Sequence, residues 1–157
     1  MTARILVVDD EPDLELLISQ RFRRQIRDGS FSFAFANDGE NALARLAEDP
    51  TIDMVVSDIN MPRMDGLMLL GRLQERDDHM ATVIVSAYGD VANIRTAMNR
   101  GAFDFITKPI DFADLEATIA KTLRNLEITR GYQRRHQEAE RARAQLARYF
   151  SPAWWIA

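Results

Sequence analysis

The sequence predicts an α/β fold: a five-stranded, parallel, doubly wound sheet with helices on both faces. Three observations carry that expectation. Short apolar runs bounded by polar residues, such as Ile5-Leu6-Val7-Val8, Met54-Val55-Val56 and Val83-Ile84-Val85, have the composition of strands buried on both faces. Segments of helical periodicity alternate with those runs, and right-handed βα units with short connections wind into one sheet. Each apolar run also ends at a polar residue that can do chemistry.

The elements follow in order. The first strand closes on Asp9-Asp10. Pro12 stands where a helix can start without losing a hydrogen bond, and Leu14, Leu17, Ile18, Phe22 and Ile26 recur at helical spacing as far as Asp28-Gly29. Phe31, Phe33 and Phe35 alternate with serine and alanine, giving a second strand. Asp38 is the expected N-cap of a helix carrying Ala42, Leu43 and Leu46, which Asp49-Pro50 stops. The third strand, Met54 to Ser57, leads through Asp58 into the loop Met61-Pro62-Arg63-Met64-Asp65-Gly66 and a helix with Leu67, Leu70 and Leu73. A fourth strand precedes Ser86. Asp90 caps the fourth helix, which carries Val91, Ile94 and Met98 and ends at Gly101. The fifth strand runs through Phe103 to Ile106, and Asp111 caps the last helix.

That last helix outruns the sheet. Leu115, Ile119, Leu123 and Leu126 can pack on it, yet no helix breaker occurs before Gly131, and none between Tyr132 and Tyr149. Ile128, Tyr132, Ala139, Ala142, Leu146 and Tyr149 fit the apolar positions of a heptad frame, with Arg135 inside the seam. The expected organisation is a domain over residues 1–126, an extended, coiled-coil-like helical linker over 127–150, and a tail over 151–157. The helix is expected to run from Asp111 to about Tyr149 and to pair in parallel with a second copy, making a homodimer.

With 157 residues, 46% of them hydrophobic, the chain can build one domain and an appendage. It contains no cysteine, which excludes disulfides and thiolate metal sites. No signal-type segment opens it and no apolar stretch approaches the roughly 20 residues of a spanning helix, so a cytoplasmic protein without membrane contact is expected. The net charge of −4 conceals an asymmetry: the residues from Arg130 onward carry +4, leaving −8 on the preceding 129. An acidic globular part is a poor partner for nucleic acid.

In open parallel sheets, ligands bind outside the carboxyl ends of the strands, so Asp9, Asp10, Asp58, Ser86 and Lys108 are expected on one rim. Crowded carboxylates raise each other's pKa unless a cation is present. Mg²⁺ commonly takes one or two carboxylates with phosphate and water, so Asp10 and Asp58 are candidate direct ligands. Asp9 can act through a bound water, and the backbone carbonyl of Asn60 can add another oxygen. A carboxylate beside a divalent metal can attack phosphorus and form an acyl phosphate; Asp58, mid-rim, is the candidate nucleophile. Lys108 can neutralise phosphoryl oxygens and Ser86 can donate a hydrogen bond to one. A cis Lys108-Pro109 bond is expected, aiming the lysine inward.

This constellation resembles the receiver domain of two-component response regulators. The match is ILVVDDEP at 5–12, DINMPRMDG at 58–66, VSAYGD at 85–90 and DFITKPI at 104–110, and it covers residues 3 to about 125. The resemblance implies a flavodoxin-like sheet, a phosphoryl group accepted on Asp58 from a histidine kinase, phosphotransfer protein or small phosphodonor, and Mg²⁺ held by Asp9, Asp10 and Asp58. It makes Ser86 the switch hydroxyl, Lys108 the phosphate-binding lysine and Phe105 the switch aromatic. The activity implied is self-phosphotransfer and autodephosphorylation rather than turnover of an external substrate. Phosphorylation adds about −1.5 to −2 charges, drawing Ser86 inward and letting Phe105 turn into the vacated space. That remodels the face made by the fourth helix, fifth strand and last helix, which is expected to control an output domain or partner.

The segment Leu146-Ala147-Arg148-Tyr149-Phe150-Ser151-Pro152 resembles the one preceding class III nucleotide cyclase domains, which makes a cyclase one candidate output; Ala153-Trp154-Trp155-Ile156 departs from that pattern. Two other classes compete with the signalling switch. A Mg²⁺-dependent phosphatase with an aspartate nucleophile needs an acid two residues on, where Asn60 stands. A DNA-binding regulator would use the arginine-rich tail, which lacks a helix-turn-helix pattern.

Overall fold

The computed structural model describes residues 2–76 and 80–149. Its elements run β1 (Ala3–Val8), α1 (Pro12–Arg21), α2 (Arg23–Arg27), β2 (Phe31–Ala36), α3 (Gly39–Glu48), β3 (Met54–Asp58), α4 (Gly66–Gln74), β4 (Ala81–Ala87), α5 (Val91–Asn99), β5 (Asp104–Lys108) and α6 (Phe112–Tyr149). All five strands are parallel, in the order β2-β1-β3-β4-β5. This is the five-stranded, flavodoxin-like sheet predicted by the sequence. The chain divides into two compact units with the boundary between Leu123 and Arg124.

Side chains alternate across the sheet. Leu6, Val8, Ala34, Ala36 and Val55 form a buried cluster with Ala42 and Leu46 of α3 and with Leu69 and Leu73 of α4. Ile84 packs with Leu70 of α4 and Ala97 of α5. On the opposite face Phe22, 1% exposed, meets Phe31 and Phe33 of the edge strand β2 with ring centroids 6.1 and 5.4 Å apart. The alanines of β2 are buried and its phenylalanines half-buried. Gln25 of α2 donates to Glu116 of α6 at 2.9 Å on that same side.

Three expectations are corrected. The first helix is interrupted at Phe22, giving α1 and α2, although Phe22 N–H still reaches Ile18 O and Ile26 N–H reaches Phe22 O, each at 2.9 Å. Leu14, Ile18 and Phe22, spaced by four, hold the buried stripe, while Leu17 and Ile26 lie off it and are exposed. In α5 the expected apolar positions are split: Ile94 is half-buried, Val91 and Met98 are exposed, and Ala97 is the buried residue. β5 begins at Asp104 and not at Phe103, whose N–H bonds Thr82 O at 2.8 Å, and it extends through Lys108.

The caps behave as their side chains dictate: Asp38, Asp65 and Asp90 each accept from the backbone N–H three residues on, satisfying an orphan donor. Asp111 accepts from the N–H groups two and three residues on, those of Ala113 and Asp114. α6 continues past Gly131 as one helix, and Ile128, Tyr132 and Leu146 on it are exposed. The segment from Phe150 to Ala157, with the cyclase-like Ser151-Pro152 and the two tryptophans, lies outside the described residues. Among the described residues no helix is long and apolar enough to cross a membrane.

Candidate functional site

The register of the sheet assembles the rim. Val8 pairs with Ser57, so Asp9, one step on, lies level with Asp58. Asp58 pairs with Val85, placing Ser86 just beyond it, and Lys108 pairs with Ala87. The order reverses at β1, whose neighbours are β2 and β3, and Asp9, Asp10 and Asp58 stand at that switch point, where such sheets bind ligands.

Within this rim Lys108 Nζ lies 2.8 Å from Asp58 Oδ2 and 3.6 Å from Asp9 Oδ2. Both carboxylates have side chains only 5% exposed; Asp10 is open to solvent. Burial pushes the Asp9 carboxyl above its usual range, the Glu11 N–H at 2.8 Å pulls it back, and the Asp58 charge adds to the rise. For Lys108, burial pulls the ammonium down, but the hydrogen bond and charge of Asp58, with Asp9 and Glu11, outweigh it and leave the group above its ordinary value. The Lys108–Pro109 peptide bond is cis.

Ser86 is 1% exposed and its Oγ has no hydrogen-bond partner among the described residues, a donor available to an acceptor arriving at the rim. Asn60 follows Asp58-Ile59, and its N–H points to Asp58 Oδ1 at 3.4 Å. Phe105 is 40% exposed and lies on the surface of β5. A cleft of about 430 Å³ opens beside the acidic residues, lined by Asp9, Asp10, Glu11, Phe35, Asn37 and Asn41 among others.

Carboxylate oxygens of Asp9, Asp10 and Asp58 fall within 4.8 Å of one another. Hard cations take oxygen ligands, and Mg²⁺ keeps several waters beside one or two carboxylates, so this donor set fits it.

Residues that the sequence reading passed over hold the loop after β3. A Cβ on Gly66 would lie 2.2 Å from Asp58 O and 2.8 Å from Ile59 Cα, so only glycine lets α4 start against the end of β3. Gly66 N–H closes the loop on Ile59 O at 2.8 Å. Arg63, with φ of 66°, pairs through its guanidinium with the buried Asp38, which also caps α3. Gly39 N–H reaches Met64 O at 3.2 Å. A glycine directly after a capping aspartate, where glycine adds nothing to helix stability, was the available signal for Gly66.

Comparison with known proteins decides the family. The model of the response regulator receiver domain matches residues 5–120. The chain belongs to the response regulator receiver family. It is 33% identical over 139 residues to the regulatory protein AtoC of Escherichia coli, covering 87% of this chain and 29% of AtoC. It therefore spans less than a third of that relative's length. A response regulator receiver domain protein from Clostridium thermocellum is similar at 29% identity and a TM-score of 0.68, over 81% of this chain and 98% of that one. A Rhodopirellula baltica structure described as adenylate cyclase reaches a TM-score of 0.76 at 21% identity, over 85% of this chain and 96% of that one; the likeness is one of fold. The chain is thus a receiver of two-component signalling.

Proposed function

We propose that this receiver is a phosphorylation-dependent switch whose phosphoacceptor is Asp58. One observation carries the assignment: of the three clustered carboxylates, buried Asp58 is the one directly bonded to Lys108, and Ser86 with its unpartnered hydroxyl follows one step along β4. A phosphoryl group seated there meets a cation and a hydrogen-bond donor on one side and the remaining carboxylates on the other.

In the proposed step an Asp58 carboxylate oxygen attacks phosphorus. The bond from phosphorus to the donor, a phosphohistidine nitrogen of a kinase or phosphotransfer protein or a small acyl phosphate, breaks, and its electron pair leaves with the donor. Asp10 and Asp58, with Asp9 through water and the Asn60 carbonyl, are the groups that would hold Mg²⁺, which would screen charge between carboxylate and phosphoryl oxygens. Lys108 exchanges its Asp58 partner for a phosphoryl oxygen, and Ser86 donates to another. Water later hydrolyses the acyl phosphate, returning phosphate and the free carboxylate, so no external substrate is turned over.

Output runs through α5, β5 and α6. Tyr88, Val91, Met98 and Phe105 are all exposed in this region, and movement of Ser86 toward the phosphoryl group opens room for Phe105 to turn inward. α6 pairs with a second copy, so the switch acts as a homodimer on an output domain or partner.

Incubation with acetyl phosphate and Mg²⁺, followed by mass measurement and repeated on Asp58→Asn, tests the assignment. Wild-type protein gains one phosphoryl group and the variant none; undiminished labelling of the variant sinks the reading. Labelling in EDTA equal to that in Mg²⁺ removes the metal from it.

A further inference from the structure

Glu138 and Arg143 form no ion pair within 4.0 Å among the described residues of their own chain, whereas neighbouring His136 and Glu140 face each other at 3.2 Å. The two flank an uncovered stripe. Ile128, Tyr132, Ala139, Ala142 and Leu146 share one side of α6 with Arg135, and the larger three are 68%, 69% and 58% exposed. From 127 to 148 no described residue of α6 is buried, whereas most helical stability in proteins comes from packing an amphipathic face.

The stripe sets the frame. With Tyr132, Ala139 and Leu146 at a and Ile128, Arg135 and Ala142 at d, Glu138 takes g and Arg143 takes e. Five residues turn a helix through about 140°, so these two cannot pair within one helix. They are the g-to-e combination that meets across a parallel, in-register pair.

We infer that the occupant of this stripe is a second copy of the chain, parallel and in register, with Glu138 of each helix paired to Arg143 of the partner subunit. This rests on the homodimer reading above and adds its geometry. An antiparallel pair sets g against g and e against e. Within the exposed stripe from Ile128 to Leu146, Glu138 then meets Gly131, Glu138 or Gln145, and Arg143 meets Thr129, His136 or itself, so no attractive pair of these two residues forms there. Ala139 and Ala142 allow close approach of the axes at the level of the charge pairs. Arg135 meets Arg135 of the partner subunit in the seam, and the repulsion of the two guanidiniums holds the affinity down.

The chain has no cysteine, so single cysteines report geometry directly. Ala139→Cys and, on the outer side, Arg141→Cys are made in the full chain and mildly oxidised. Ala139→Cys forms covalent dimer far faster than Arg141→Cys. By sedimentation, Glu138→Arg and Arg143→Glu each weaken the dimer about tenfold, as two attractive pairs become repulsive, and the combined variant recovers. Arg135→Leu tightens it. Equal cross-linking at 139 and 141, or a double reversal no better than either single one, overturns the register while a dimer by sedimentation stands. A wild-type chain that stays monomeric at high micromolar concentration, with and without a phosphoryl mimic, overturns the homodimer reading itself.

Discussion

Lys108 Nζ sits 2.8 Å from Asp58 Oδ2 and 3.6 Å from Asp9 Oδ2, one ammonium serving two buried carboxylates. It occupies, as a counter-ion, the region a phosphoryl group would enter. Lys108→Ala is therefore expected to keep Mg²⁺ binding, since a competing cation has gone, and to lose the response that follows phosphorylation. Calorimetric Mg²⁺ titration and the change in sedimentation on adding acetyl phosphate separate the two. A variant with a full phosphorylation response shows Lys108 to be a bystander.

Asp9 is held against its preference. Its folded carboxyl lies above the unfolded value, so its contribution to stability is present below the unfolded pKa and lost as pH rises through the folded one. At pH 7 without divalent cations the charged form is a net cost. Asp9→Asn keeps an oxygen for the Glu11 N–H and removes that cost, so it is expected to melt higher than wild type in EDTA. Mg²⁺ should raise the wild-type melting temperature more than that of the variant. A lower melting temperature for Asp9→Asn in EDTA contradicts this account.

The Arg63–Asp38 pair joins the loop after β3 to the start of α3. Arg63 has φ of 66°, a conformation that costs an L-residue about 1–2 kcal/mol and glycine almost nothing. Arg63→Gly and Arg63→Ala lose the same guanidinium, yet only alanine keeps the strain. Urea denaturation should rank wild type above Arg63→Gly and Arg63→Gly above Arg63→Ala by about 1 kcal/mol. Alanine as stable as glycine would mean the backbone relaxes at this position.

Asp49 governs part of the acid response. Hydrogen bonds from Thr51, first through its side chain, and from Arg4 hold its carboxyl down at about 2. A depressed folded pKa gives stability that is present above the unfolded value and lost as pH falls toward the folded one, here between about pH 4 and pH 2. Asp49→Asn should flatten the melting temperature against pH in that window and leave its slope above pH 5 unchanged.

Much of this was legible in the chain. Parallel strands buried on both faces write themselves as apolar runs, and strand ends carry the chemistry, so Asp9, Asp10, Asp58, Ser86 and Lys108 stood out in order. The misreadings have physical causes. Val91 and Met98 have the composition of a buried helix face, but α5 seats Ala97 inward, and periodicity alone does not tell a core stripe from an exposed one. The break at Phe22 leaves no mark because its hydrogen bonds to Ile18 and from Ile26 persist. The Arg63–Asp38 pair spans 25 positions between two loops and has no local pattern at all.

Gly66 and Gly71 lie on the same helix and should answer the same substitution with opposite signs. A Cβ at Gly66 would stand 2.2 Å from Asp58 O and 2.8 Å from Ile59 Cα, both backbone atoms that no rotamer change can move. Gly66→Ala must push α4 away from the end of β3 or displace Asp58 itself, and overpacking of this kind costs about 1–3 kcal/mol. Among the described residues, nothing beyond its own stretch of helix lies within 4 Å of a Cβ at Gly71, so Gly71→Ala gains helix propensity without a clash and should stabilise by about 1 kcal/mol. Guanidinium denaturation of both variants gives the sign. Acetyl phosphate labelling of the folded fraction then asks whether the strain reaches the rim: Gly66→Ala should label more slowly, and Gly71→Ala at the wild-type rate. Equal stabilities for the two alanine variants would show that the contact between α4 and the end of β3 is looser than 2.2 Å implies, and that Gly66 does not position Asp58.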